Sequence, residues 1–397
     1  MLEGLKVVEL ATYIAAPGAG GIMADWGAEV VKIEPPAGDP MRGFFDTLGA
    51  AQASNPIFDL DNRGKRGVVL DIAKPEGRDA ALRLVRGADV FITNIRPGAL
   101  KRAGFDWDSL RAENPRLIYC SVTGYGLQGP DADRAGMDVA SFWSRSGVGA
   151  ATVPKGVEPF VIRTGVGDHT CSLATVSAIL AAVYERHGTG EGRLVETSLL
   201  RAGVYSISSD MAIQLRLGKL ASTRPRAQAV QPLANFFRTG DGRWINVVVR
   251  QGGSDWPAIA AAAGRPDLVG DPRFASARLR RENGPALVEA LDAGFGALPY
   301  AEVAAGLDAG DVTWAPFQTP REVTEDPQAH AAGCFVEMPD GAGGTYTSPA
   351  GPARFPGADD GPKGPAPRLG EHTAQVLAEL GYSEGEIEAM KAAGAAA

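Results

Sequence analysis

Cysteine is scarce in this chain. Its 397 residues hold three, Cys120, Cys171 and Cys334, odd in number and widely scattered. That pattern excludes a disulfide framework and fits a reducing compartment, so a cytoplasmic protein is expected. Histidine is nearly as rare. The four (His169, His187, His330, His372) show no metal-ligand spacing with the cysteines, so no metal centre is expected. Positive charge is also short: 39 Lys and Arg against 47 Asp and Glu leave a net charge of −8. A nucleic acid or an anionic membrane surface is thereby disfavoured as the main partner. No basic stretch precedes an apolar one near the start, and no apolar run reaches spanning length, so neither a leader nor a membrane span is expected. What remains is 45% apolar and 22% charged residues with 51 Gly and 28 Pro, an ordinary globular composition long enough for two domains.

The first half alternates short apolar runs with helical patterns. Lys6–Leu10 and Glu29–Ile33 read as strands around a helix through Ile22, Met23 and Trp26, a βαβ unit that seeds a parallel sheet. Gly67–Ile72, Asp89–Asn94 and Leu117–Val122 continue it, with a helix from Pro75 to Arg86. Gly18-Ala19-Gly20-Gly21 with Glu34 imitates a dinucleotide fingerprint, but Ala11 to Pro17 separate those glycines from the strand, so NAD(P) is not expected. In parallel sheets ligands bind at the carboxyl ends of strands. Thr12, Lys74, Asn94, Arg96, Arg102 and Tyr125 occupy those loops, and the two arginines suit phosphate.

Gly165-Val166-Gly167-Asp168-His169-Thr170 places a carboxylate at the head of a helix with an apolar stripe of Leu173, Val176, Leu180 and Val183, and Gly188 as its stop. The residues alone leave two roles for Asp168: an N-cap, or a nucleophile toward an acyl group. Cys171 is a rival nucleophile only in name, because His169 lies two residues away and residues two apart on a helix do not face each other.

From about Pro225 the pattern changes. An Asp241-Gly242 turn joins two strands, helices follow at Trp256–Ala263, Arg281–Phe295 and Tyr300–Leu307, and a short strand lies at Val312–Trp314. Residues 340–368 read as a Gly- and Pro-rich surface return, and helices are expected at His372–Leu380 and from Ser383, capped by Ser383 with Glu386.

Several stretches resemble the class III CoA-transferase family, which includes formyl-CoA, carnitine-CoA and bile-acid CoA transferases and has α-methylacyl-CoA racemases as relatives. They are Asn62-Arg63-Gly64-Lys65-Arg66 to Leu70-Asp71, Ala88-Asp89-Val90 to Asn94-Ile95-Arg96-Pro97-Gly98, Asn114-Pro115-Arg116, Gly124-Tyr125-Gly126 to Gly129-Pro130, and Leu369-Gly370-Glu371-His372-Thr373. The resemblance implies an α/β protein with a Rossmann-like parallel-sheet domain formed by both chain ends and a smaller α+β domain. The implied spans are 1–198, a linker helix at 199–225, the small domain at 226–330 and a return at 331–397, in an interlocked homodimer. It implies acyl-CoA and carboxylic acid substrates, CoA as the carried group with no tightly bound cofactor, and Asp168 as covalent nucleophile. It extends the CoA contacts to Arg42, Leu70, Ile95 and Asp138.

Where the racemase branch carries Gly-His-Asp this chain has Gly136-Met137-Asp138, and a thioether cannot shuttle a proton. Phe142, Trp143 and Arg145 read either as core packing or as an acceptor pocket. Oxyanion donors are sought in Gly124–Gly126 or Gly252-Gly253.

Overall fold

The computed structural model describes residues 1–47, 55–250, 253–339 and 343–397. Gln251 and Gly252, and with them half of one expected oxyanion segment, lie outside the described residues. The described chain divides into two compact units.

The larger unit comprises Met1–Ala150, Pro159–Lys219 and Ala331–Ala397. Its centre is a sheet of β1 (Lys6–Leu10), β2 (Glu29–Glu34), β3 (Arg66–Val69), β4 (Val90–Thr93), β5 (Ile118–Thr123) and β6 (Arg193–Ser198). All pairings are parallel, and the spatial order is β3-β2-β1-β4-β5-β6. Strands covered on both faces need apolar side chains on both, which is why Val7, Val8, Val30, Val31, Phe91 and Ile92 run together and are buried. The order reverses between β1 and β4, and ligands bind in the crevice at such a switch point.

The exposed edge of β3 is closed by residues far along the chain. His372 Nδ1 accepts the Gly67 N–H at 3.2 Å, Thr373 Oγ1 accepts that of Val69 at 3.0 Å, and Leu70 pairs with Ala396. Unpaired strand edges invite aggregation, and this one is paired.

Beneath β1 and β2 lies a charged cluster with no exposed member. Lys32 Nζ reaches Glu9 Oε1 at 3.0 Å and Asp39 Oδ2 at 2.9 Å, and Lys65 Nζ reaches Glu9 Oε2 at 2.7 Å. The glycines of the first helix, Ala15–Asp25, serve this packing. A Cβ on Gly20 would lie 2.2 Å from Glu9 Oε2, and one on Gly21 would lie 2.8 Å from the Asp61 carbonyl.

The helix Val166–Thr189 packs on that first helix, and its buried face takes in only part of the stripe the sequence pattern picks: Val176 is buried, Leu180 and Val183 are half-buried and Leu173 is exposed. Cys171, Ser172, Thr175, Val176, Ile179 and Ala182 are buried, whereas Leu173 and Tyr184 are 45% and 83% exposed. Close approach along glycine favours small side chains at the contact, where a Cβ on Gly18 would lie 2.7 Å from Ser172 Oγ, while Leu173 turns outward. The helix also continues past Gly188 and ends at Gly190, in the left-handed region at φ 75°. By length and composition it is the one helix among the described residues long and apolar enough to cross a membrane, a test that core helices also pass.

Two further expectations need correction. The linker helix expected over 199–225 is two helices, Leu199–Ser206 and Ser208–Leu217, broken at Ile207, where φ −110° and ψ 30° leave the helical region. The surface return contains β11 (Thr345–Pro349), which pairs antiparallel with β10 (Phe335–Pro339).

The smaller unit, Ala151–Glu158 with Leu220–His330, carries an antiparallel sheet of β7 (Asn235–Arg238), β8 (Trp244–Val248) and β9 (Thr313–Pro316). Helices at Trp256–Ala262, Gly284–Phe295 and Tyr300–Ala309 close a core of Phe237, Ile245, Val247, Ile259, Leu291 and Phe295. The single helix expected over Arg281–Phe295 is interrupted at Asn283.

Candidate active site

Asp168 is not the cap of its helix. Gly165, at φ 87°, is the N-cap, and Asp168 is the third helical residue, with its carboxylate free of any capping bond. The free N–H groups of the first turn are met from outside. Asp138 Oδ2 accepts from Gly165 N at 3.1 Å and from Gly167 N at 3.3 Å. Asp138 opens a π-helical turn, Asp138–Arg145, and is itself buried. That turn presses so closely on the glycine segment that a Cβ on Gly167 would lie 2.3 Å from both Asp138 Oδ1 and Phe142 Cγ. Only glycine fits, and its absence of a side chain lets the two segments touch.

The consequence for Asp168 is electrostatic. Burial disfavours its charged form, the Asp138 carboxylate repels it, and its carboxyl is pushed up to about 7 even though His169 favours ionisation. His169 Nε2 in turn meets Asp61 Oδ1 at 3.0 Å. Burial works against the imidazolium, but the Asp61 bond and charge more than offset it, so the ring holds its proton above the ordinary histidine range. Asp61 and Asp138 each keep one buried carboxylate oxygen without a hydrogen-bond partner.

The same turn sits beside the sheet's switch point. Ser172 Oγ donates to the Ala15 carbonyl at 2.7 Å, and a Cβ on Gly165 would lie 3.7 Å from Ile14 Cδ1. Just upstream, Thr12 and Asn94 lock the ends of β1 and β4 together. Thr12 N–H donates to Asn94 Oδ1 at 3.0 Å, and Asn94 Nδ2 donates to the Thr12 carbonyl at 2.6 Å. Tyr13 between them holds φ 66°, a conformation costly for a residue with a Cβ and often found at functional loops.

The remaining expected CoA contacts fall into two groups. Arg96 and Arg102 are exposed in and beside the loop after β4, without an ion-pair partner among the described residues. Ile95 follows Asn94 there, its N–H on Thr93 Oγ1 at 3.2 Å. Tyr125, after β5, is half-buried with the guanidinium of Arg145 over its ring at 5.6 Å. The others are engaged within the protein. Arg42 forms a two-pronged pair with Glu34 at 2.7 Å, Lys74 Nζ donates to the Ala393 carbonyl at the end of a helix, and the Leu70 side chain is in the core.

A model of CoA-transferase family III matches residues 2–373. The chain belongs to that family. It is 31% identical over 393 residues to the (R)-2-hydroxy-4-methylpentanoate CoA-transferase of Clostridioides difficile, covering 98% of each chain. The cinnamoyl-CoA:phenyllactate CoA-transferase of Clostridium sporogenes is 31% identical over 395 residues, covering 98% of this chain and 96% of that protein. A CAIB/BAIF family protein from Brucella suis has a solved structure that aligns with a TM-score of 0.85 at 32% identity, covering 96% of this chain and 99% of its own. This protein is a class III CoA-transferase, and its reaction is CoA transfer between an acyl-CoA and a carboxylate.

For a class III CoA-transferase the other sequence candidates resolve as follows. Cys171 is fully buried with its thiol pushed up to about 12, chiefly by burial, which removes it as a nucleophile. Phe142 and Trp143 are core residues, the indole donating to the Phe160 carbonyl at 3.0 Å, and Arg145 pairs with Asp131 at 2.9 Å. Two expected oxyanion donors are already spent, the Gly126 N–H on Thr123 Oγ1 and the Gly253 N–H on the Arg250 carbonyl. Asp61 was not singled out from sequence. Its signal was the Asn55-Pro56 start of the helix Pro56–Asn62, where Asn55 Oδ1 caps Phe58 N–H and so fixes the face on which Asp61 turns inward.

Proposed function

We propose that Asp168 is the covalent nucleophile. One Oδ attacks the carbonyl carbon of the bound thioester, and the C–S bond breaks with its electron pair leaving on the CoA thiolate. The thiolate then attacks the aspartyl carbon of the resulting anhydride, and the donor acid departs as carboxylate. The acceptor carboxylate attacks the aspartyl thioester, expelling thiolate again. Attack of that thiolate on the acceptor's acyl carbon releases the new acyl-CoA and restores Asp168. CoA is the carrier throughout, so no tightly bound cofactor is called for.

The supporting observation is placement: a partly exposed carboxylate, free of any capping bond, at a helix N-terminus on a glycine turn beside the strand-order switch. The first-turn dipole favours the anion that must attack and the oxyanion that follows. Arg96 and Arg102 provide free cations for the CoA phosphates at the same end of the sheet. Both relatives above carry a 2-hydroxy acid in their names, so a panel of 2-hydroxy acids is the first acceptor screen. The test of mechanism is Asp168→Ala. Loss of CoA exchange, together with hydroxylamine-sensitive labelling of Asp168 in the wild type, is expected. Near-normal transfer by the variant would end the reading.

A homodimer fits the outward apolar residues of the larger unit. Tyr184, Tyr205 and Leu215 are 83%, 79% and 85% exposed, and a cavity of about 1260 Å³ lined by Tyr205 and Leu215 runs along three helices. Light scattering of the purified protein checks it, with twice the chain mass expected.

A further inference from the structure

Three carboxylates, Asp61, Asp138 and Asp168, converge on one turn from three segments of the chain, and one imidazole stands among them. Asp61 comes from the helix Pro56–Asn62, is 3% exposed, and leaves one oxygen unbonded while the other holds His169 at 3.0 Å. A buried carboxylate with a spare oxygen stabilises little by itself, and its role must be sought in what it holds. It holds a ring that is half-exposed, adjacent in sequence to Asp168 and packed on the nucleophile turn, since a Cβ on Gly165 would lie 3.3 Å from His169 Cε1.

We propose that Asp61 and His169 form a positioning pair whose imidazolium supplies the positive charge that keeps Asp168 ionised, against Asp138, as the thioester arrives. The inference rests on Asp168 being the nucleophile and adds what sustains it. Among the described residues the charged groups that act on the ring are Asp61 in its helix, Asp138 from the π-helical turn and Asp168 on its own helix, with Lys65 and Glu9 behind Asp61. Lys65 is bonded to Glu9, so His169 is the cation nearest in the chain to Asp168 that Glu9 does not claim. Helix geometry explains why adjacency suffices. Asp168 and His169 point to different faces, and Asp61 draws the ring back against Gly165 and the turn that both residues share.

The test is the acidic limb of kcat/KM against pH for acyl-CoA. In His169→Gln the limb should move up by about one pH unit, and in His169→Arg, which keeps a cation, it should lie at or below that of the wild type. A His169→Gln limb superimposed on the wild type overturns the proposal, and so does a His169→Arg limb displaced as far as that of His169→Gln. Imidazole NMR of the wild type supplies a reading independent of variant folding. One of the four histidines, assigned by single replacement of His187, His330 and His372, should titrate above the ordinary range, and a His169 that titrates normally refutes the pair. Asp168→Ala separates the two levels. If it retains transfer, the nucleophile reading fails. If it is dead while the His169→Gln limb is unmoved, only the pair fails.

Discussion

Two clusters of ionisable residues lie within the larger unit, and they are built on opposite rules. Under β1 and β2, Glu9 and Asp39 face Lys32 and Lys65, two charges against two, with the lysines further bonded to the carbonyls of Ala11 and Pro17 and to Asn62. At the Gly165–Asp168 turn Asp61, Asp138 and Asp168 face His169, and two of the carboxylates keep an oxygen unbonded. A charge-balanced cluster, in which even Asp39 Oδ2, without a hydrogen bond of its own, lies 2.9 Å from Lys32 Nζ, fixes register and stays inert. An unbalanced one keeps its groups poised near neutrality, the state a nucleophile needs to be available and reactive at once.

Replacing one member of each cluster should therefore have opposite signatures. Asp168→Asn should lower CoA transfer by roughly 10⁴-fold, measured by exchange of labelled CoA between acids. It should also gain stability. The raised carboxyl of Asp168 contributes stability when protonated and loses it as pH climbs from the ordinary carboxylate range through about 7. The variant should thus melt above the wild type beyond that pH, with the gap closing in acid, and scanning calorimetry at several pH values reads it. Glu9→Gln should do the reverse. Two buried ammonium groups lose their shared carboxylate, at a cost of about 3–5 kcal/mol in urea unfolding, while the molecules that remain folded retain transfer.

Finer tests probe the contact between the turn and the Asp138 segment. Gly167→Ala pushes a methyl into Asp138 and Phe142 and should displace the carboxylate, lowering kcat by roughly 10²-fold with a smaller fall in melting temperature. Asp138→Asn keeps an acceptor for the glycine N–H groups and removes the like charge. The acidic limb of kcat/KM, expected near pH 7 in the wild type, should move to lower pH. A limb that rises instead would place Asp138 among the groups that aid ionisation.

The sheet was legible because buried parallel strands write themselves as apolar runs: Lys6–Leu10, Glu29–Glu34 and Val90–Thr93 stand close to where the sequence puts them. The glycine turn before Asp168 and the helix start after it were legible too, since two glycines before a carboxylate at a helix start is a local signal. What the sequence hid is non-local. Nothing near Asp168 reveals that Asp138 meets the N–H groups of Gly165 and Gly167, nor that Asp61 holds His169. The partly misread face of Val166–Thr189, where Val176 is buried but Leu173 is not, has a similar cause. Hydrophobicity points to leucine, but the partner helix is glycine and alanine, and a close crossing selects for size over hydrophobicity. Arg42 and Lys74 were legible as cations but not as ones already taken, because Glu34 and Ala393 meet them only in the folded chain.

The closure of β3 has a bearing on biogenesis. His372 lies 305 residues beyond the Gly67 amide it covers, so a ribosome must translate the whole smaller unit before that strand finds its partner. During that interval the nascent sheet carries a naked edge. Cotranslational folding of this enzyme should therefore depend on a holdase or on fast elongation, and a pause between the two units would favour aggregation over assembly.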